Sequence, residues 1–330
     1  MNRSALALLT LTPLVLVGCS ASSTPSPTSD DASVAELVTQ VAEPRDDHPV
    51  GVLLEGPTFD PDGDLYLVDV TAPPGSPKLL QVDLTDGTTE TVYTDDTSLF
   101  TSAQFSPADG RIYLTDFVGG TIQSIEPDGT DARTVFSGHV DGRPMMPDDL
   151  AFDPDGNMIV TDSTGATQPG WDAQGRIIRI GTDGQASVIA DSLAAPNGIA
   201  FDERFAGLWI SQNTGNRVDY IGLDAARTEV LSGYPAIYVD AGRAQIDSLA
   251  VDAAGNIYQG FHNDPRIEIY SPVGELLKTV RIDDEGISST TNIAIRPGTN
   301  EAFVVASGSS GGFIYRFDAL AKGTRQSNGG

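Results

Sequence analysis

Six stretches of this 330-residue chain are copies of one another, and such self-similarity restricts the fold more than any single motif. Gly56-Pro-Thr-Phe59-Asp-Pro-Asp-Gly63 aligns with Ser102-Ala-Gln-Phe105-Ser-Pro, Asp149-Leu-Ala-Phe152-Asp-Pro-Asp-Gly156 and Gly198-Ile-Ala-Phe201-Asp. Ser248-Leu-Ala-Val251-Asp and Asn292-Ile-Ala-Ile295-Arg-Pro complete the set. The apolar anchors are 46, 47, 49, 50 and 44 residues apart. Six copies at that period predict an all-β fold, a six-bladed β-propeller of four-stranded antiparallel blades.

Each copy divides in the same way. A first strand ends at the anchor, an Asp/Pro/Gly turn follows, and a second, apolar strand leads to a third that alternates. Turns such as Asp86-Gly87, Asp128-Gly129 and Asp183-Gly184 open a fourth strand, predicted at 91–93, 134–136, 187–189, 229–231 and 277–280. The sixth copy has no fourth strand because little chain remains after Phe317. The unassigned stretch 34–42 is predicted to supply it, closing the ring and removing the exposed edges.

What precedes the repeat reads as export and anchoring. Residues 1–18 carry one basic residue, Arg3, then an apolar run to Val17, the layout of a signal peptide. Leu16-Val17-Gly18-Cys19 resembles a lipobox, so Cys19, the only cysteine, is the expected lipidation site. Residues 19–33, rich in Ser, Thr and Pro, read as the lipidated cysteine and a flexible tether, 34–323 as the propeller and 324–330 as a disordered tail. The expected location is the exported, cell-surface or periplasmic face of a bacterial membrane, reached through lipid alone, with a monomer as the default. Loss of the signal leaves 18 basic against 46 acidic residues, a net charge of −28. That field repels phosphate backbones and excludes nucleic acid as a natural partner, while attracting cations.

In a propeller the residues just before the first strands ring one mouth of the central channel. Four positions before each anchor stand Glu55, Thr101, Asp148, Asn197, Asp247 and Thr291, oxygen donors in every copy. Three carboxylates at one mouth repel one another unless a cation neutralises them. Ca²⁺ tolerates irregular shells of oxygen ligands from separate blades, whereas the lack of His or Cys in this register disfavours zinc or copper. The competing reading is that each residue merely satisfies backbone groups in a turn, as Asp and Asn commonly do.

Other residues carry weaker signals. His48, His139 and His262 lack metalloprotease spacing, although His262 follows the second strand of the fifth copy, where it could face the channel and substrate. Met145, Met146, Trp171 and Tyr234 lie on connections at 138–147, 164–175 and 232–245, expected to wall a pocket. Gly308-Ser309-Ser310-Gly311-Gly312 fits the Gly-x-Ser-x-Gly string but falls between two predicted strands, without the helix a nucleophile elbow opens, and a P-loop is missing, which leaves serine-triad hydrolysis and nucleotide hydrolysis without support.

Leu54-Glu55-Gly56, Asp148-Asp149-Leu-Ala-Phe-Asp153, Ala195-Pro-Asn197-Gly198 and Ile246-Asp247-Ser248 resemble the signature loops of the gluconolactonase/senescence-marker-protein superfamily, in particular its calcium-dependent, drug-responsive lactonases. The likeness runs from about residue 50 to 323 and includes Asn216-Arg217 and the closing stretch 296–323. It implies a catalytic Ca²⁺ held by Glu55, Asp148, Asn197, Asp247 and Ser248, with Asp247 also the proton donor. Asp149, beside a ligand, is the second candidate for proton transfer. The implied activity is hydrolysis of a small lactone or ester. Two departures stand out: the stretch 116–121 is too short to place the second, structural calcium of those lactonases, and the lipobox sets this chain apart. A non-enzymatic binding propeller with structural calcium, and a phosphotriesterase on the same metal site, are the alternatives, which fold alone does not separate.

Overall fold

The computed structural model describes residues 32–46 and 48–325; Cys19 and the signal segment lie outside them. Six antiparallel blades follow one another along the chain. Their first strands are Leu54–Phe59, Phe100–Phe105, Pro147–Phe152, Pro196–Phe201, Gln245–Val251 and Ile287–Ile295, each ending on its anchor. Blades one to four are separate four-stranded sheets; blades five and six join through the single pairing of Phe261 with Thr290. The helical segment among the described residues is one 3-10 turn, Asn213–Gly215.

The period works because each blade buries both faces against its neighbours. Leu54, Phe59, Leu65 and Leu67 of blade one pack on Phe303, Val305 and Ile314 of blade six. Ile159 and Ile177 of blade three meet Ile199, Phe201 and Leu208 of blade four in the same manner. Each buried aliphatic or aromatic side chain contributes about 1.5–3 kcal/mol, so stability is spread around the ring.

Closure occurs as expected. Glu36–Ala42 pairs antiparallel with Gly311–Asp318 and supplies the outer strand of blade six. The N-terminal segment also does more: Ala32–Val34 lies parallel to Thr279–Arg281 on the outer strand of blade five, so Ala32 and Ser33, read as the end of a tether, are paired. At the other end, Arg325 donates to the carbonyl of Pro61 at 3.1 Å. The fourth strand of blade four is longer than predicted, Val230–Tyr238. Its pairing with the third strand continues past residue 231 through Tyr238, with Ile237 buried and the Tyr234 ring 5.9 Å from that of Tyr220.

One irregularity recurs in every blade. The pairing of first and second strands shifts register between Glu55 and Thr58, Phe100 and Ser102, Pro147 and Leu150, Pro196 and Ile199, Ile246 and Leu249, and Thr290 and Asn292. Bulges of this kind bend a strand and re-aim side chains. All six sit on the residues singled out by the register argument.

Candidate active site

Bulging frees backbone groups, and the chain satisfies them with hydroxyls and amides from adjoining strands. Thr161 Oγ1 accepts from Asp149 N at 2.9 Å and donates to the carbonyl of Asn197 in the next blade at 2.6 Å. Thr115 donates to the Asp148 carbonyl at 2.7 Å, and Gln259 Nε2 to that of Asp247 at 2.9 Å. Thr101 and Thr291, counted as possible ligands in the sequence, belong to this scaffold. Their hydroxyls donate to the carbonyls of Asp148 at 2.8 Å and Leu54 at 2.6 Å.

The remaining register residues converge. Asn197 Nδ2 donates to Asp148 Oδ2 at 3.1 Å, and the same oxygen accepts from Ser163 Oγ at 2.9 Å. Ser248 Oγ stands 3.4 Å from Asn197 Oδ1. Glu55, Asp247 and His262 each offer a ligand atom, and these three atoms lie within 4.8 Å of one another. His262 Nε2 is 2.8 Å from Asp247 Oδ2. Asp247 is 0 % exposed, and among the described residues neither of its carboxylate oxygens accepts an aligned hydrogen bond.

That last observation tests whether a cation fits. A buried carboxylate without donors costs several kcal/mol of lost hydration unless a positive charge faces it. Burial raises Glu55 well above the carboxylate range, and Asp247, Asp148 and Asp149 push it further. Burial likewise brings Asp148 up to about 7, reinforced by Asp247 and opposed by the Ser163 hydrogen bond. Burial disfavours a charged His262, but the Asp247 and Asp148 carboxylates outweigh it and raise its pKa. A divalent ion among these oxygens would remove the repulsion, so the donor set fits a metal.

The other expected residues are placed as follows. Asp149, 1 % exposed, accepts from Ser102 Oγ at 2.6 Å and Leu150 N at 2.8 Å, and faces Ser248 Oγ at 3.3 Å. It is engaged in holding the inner strands and Ser248. His262 borders a cleft of about 720 Å³, whose lining includes His48, Gln245, Asn263, Ser288 and Ser289. Met145 packs inside the core of blade three rather than in a pocket, and Met146 is half-buried, its N–H donating to Asp162 at 2.8 Å. Trp171 is 91 % exposed on its loop, and Tyr234 stands on an outer strand; neither joins the cluster. On the third strand of blade three, the fully buried Arg176 pairs with Asp162 and donates to the carbonyls of Val140 and Pro144 at 2.8 Å each, tying down the connection that leads to Asp148. Sequence reasoning missed Thr161 and Gln259, which read simply as strand residues, and Ser163, which lies just past the second strand of blade three.

Known proteins share this fold. The chain is 29 % identical to the lactonase drp35 of Staphylococcus saprophyticus over 308 residues, 87 % of this chain and 90 % of that protein. A gluconolactonase structure from Xanthomonas campestris superposes with a TM-score of 0.66 at 20 % identity, covering 84 % of this chain and 97 % of that one. The calcium-binding protein regucalcin from Agrobacterium tumefaciens superposes at 0.67 with 15 % identity, covering 88 % and 99 %. The family model for the SMP-30/gluconolactonase/LRE-like region matches residues 53–308, from the first inner strand to the sixth blade. With the match spanning every bulged strand that builds the cluster, the chain belongs to the SMP-30/gluconolactonase/LRE-like family.

Proposed function

We propose that this protein is a calcium-dependent hydrolase of small lactones, working at the mouth of the propeller channel and held to the outer face of a bacterial membrane by lipid on Cys19. The observation that carries the reading is Asp247: a fully buried carboxylate with no aligned donor, facing Glu55 and His262. The lactonase and gluconolactonase relatives support the substrate class.

Glu55, Asp148, Asn197, Asp247 and Ser248 would hold the ion. When bound, calcium supplies a Lewis acid that polarises the lactone carbonyl and offsets the charge developing on its oxygen. Asp247 is buried against the reacting volume and takes the proton of the attacking water, then returns it to the ring oxygen as the acyl C–O bond breaks, leaving a hydroxy acid. Asn197 and Ser163 fix the Asp148 carboxylate, and Asp149 with Ser102 sets the position of Ser248. The cleft of about 720 Å³ bordered by His262 is large enough for a small lactone.

The test is hydrolysis of a lactone panel by chelator-stripped protein, with and without added calcium. Calcium-restored turnover is expected. Turnover of aryl phosphotriesters in place of lactones would replace the substrate class, and a calcium-dependent gain in stability with no turnover would leave a binding propeller.

A further inference from the structure

Outside the six-residue register, one side chain brings a nitrogen to Asp247 from a second strand. His262 ends the second strand of blade five, Ile257–His262, and brings a nitrogen to a centre otherwise made of oxygens. We propose that His262 is a metal ligand through Nε2, making this a mixed nitrogen–oxygen centre in place of an all-oxygen one.

Three observations carry this. The ligand atoms of Glu55, Asp247 and His262 all lie within 4.8 Å of one another. Three points so spaced can share a centre roughly 2.8 Å from each, and a shift of well under 1 Å per side chain reaches the roughly 2.0–2.2 Å of Zn–N and Zn–O bonds. The 2.8 Å between Nε2 and Asp247 Oδ2 matches the spacing of adjacent ligands on one ion, which is about 3 Å at right angles for such bonds. Finally, this close pair lacks hydrogen-bond alignment, since both Asp247 oxygens remain without a partner. The imidazole edge and the carboxylate are thus neighbours around a common point.

The chemistry follows from ligand softness. Calcium is hard and gains little from imidazole, while manganese, cobalt and zinc bind it with strength rising roughly in that order. This inference rests on the reading that the cluster binds a divalent ion, though not on which substrate is hydrolysed.

The test uses the full chain after chelator treatment. Electron spin-echo spectroscopy of the Mn²⁺-loaded wild type should show coupling to one imidazole nitrogen, with no variant needed. His262→Ala should abolish that coupling. It should also weaken Mn²⁺, Co²⁺ and Zn²⁺ binding by increasing factors, each at least the roughly tenfold that loss of an outer-sphere partner costs, while leaving calcium affinity nearly unchanged. Bound Mn²⁺ without nitrogen coupling, or equal losses for calcium and zinc, would overturn the proposal and leave the calcium hydrolase standing. Failure of every divalent ion to bind would overturn both.

Discussion

Gly198 and Ser248 belong to first strands of adjacent blades, and their backbones touch: a Cβ on Gly198 would stand 2.5 Å from Ser248 Cα and 2.6 Å from Leu249 N. Backbone, unlike a flexible side-chain end, cannot swing aside. The same closeness holds at Gly56, where a Cβ would meet Ala103 N at 2.4 Å. In both cases the glycine directly follows a candidate ligand, so the approach of strands and the convergence of ligands are one feature.

Gly198→Ala is therefore expected to push blades four and five apart at the mouth. Overpacking of this kind costs about 1–3 kcal/mol. Asn197 and Ser248 sit on either side of the wedge, so calcium affinity should fall along with stability. Thermal melting and calcium titration on the same preparation check both, and a variant with normal calcium affinity would show that the contact does not set ligand spacing.

Asp247→Asn separates chemistry from folding. The amide keeps the shape and removes a buried negative charge that raises Glu55 and Asp148. Turnover should fall by at least the roughly hundredfold expected for loss of a proton-transfer group. The metal-free variant should melt at or above the wild-type temperature, and added calcium should stabilise it much less. Near-normal lactonase activity would refute the role given to Asp247.

The propeller was legible in the sequence because each blade carries its own turn and its own apolar anchor, both local signals. The register of oxygen-bearing residues was legible because bulges recur at equivalent positions and keep the spacing to the anchor constant. What stayed hidden depends on contacts between blades. Thr161 reads as an ordinary β-former, yet its hydroxyl serves Asp149 in its own blade and Asn197 in the next. His262 escaped the register because it arrives from a second strand, and Tyr234 was read as part of a connection because exposed strand residues give little periodic signal on a blade's outer edge.

Stability of the metal-free protein should depend on pH in an unusual direction. Glu55 and Asp148 have folded-state pKa values above their ordinary ones, so the folded state holds more protons than the unfolded chain in the interval between. For groups shifted this way, stability falls as pH rises. For Asp148 the interval runs from 3.8 to about 7. Chelator-stripped protein should lose stability across this window, and saturating calcium should abolish or reverse the trend, because ion binding favours the ionised carboxylates. Chemical denaturation at a series of pH values, with and without calcium, gives the slopes; a metal-free slope of opposite sign would contradict the mutual repulsion of these carboxylates.

Removal of residues 32–42 tests how the ring is locked. Glu36–Ala42 covers the backbone edge of Gly311–Asp318, and Ala35, Ala42 and Val38 pack into the cores of blades five, six and one. Without them the outer edge of Gly311–Asp318 is an open strand, a template for pairing with a second copy. The truncated chain should melt at a lower temperature and elute as dimers or larger species in size-exclusion chromatography. Removing only Ala32–Val34, which adds a parallel strand to an already complete blade, should leave the elution volume unchanged. Equal effects from both truncations would mean that closure resides in the contact between blades one and six, where Phe59 meets the ring of Phe303 edge-on at 5.7 Å, and not in the strand that spans the chain's two ends.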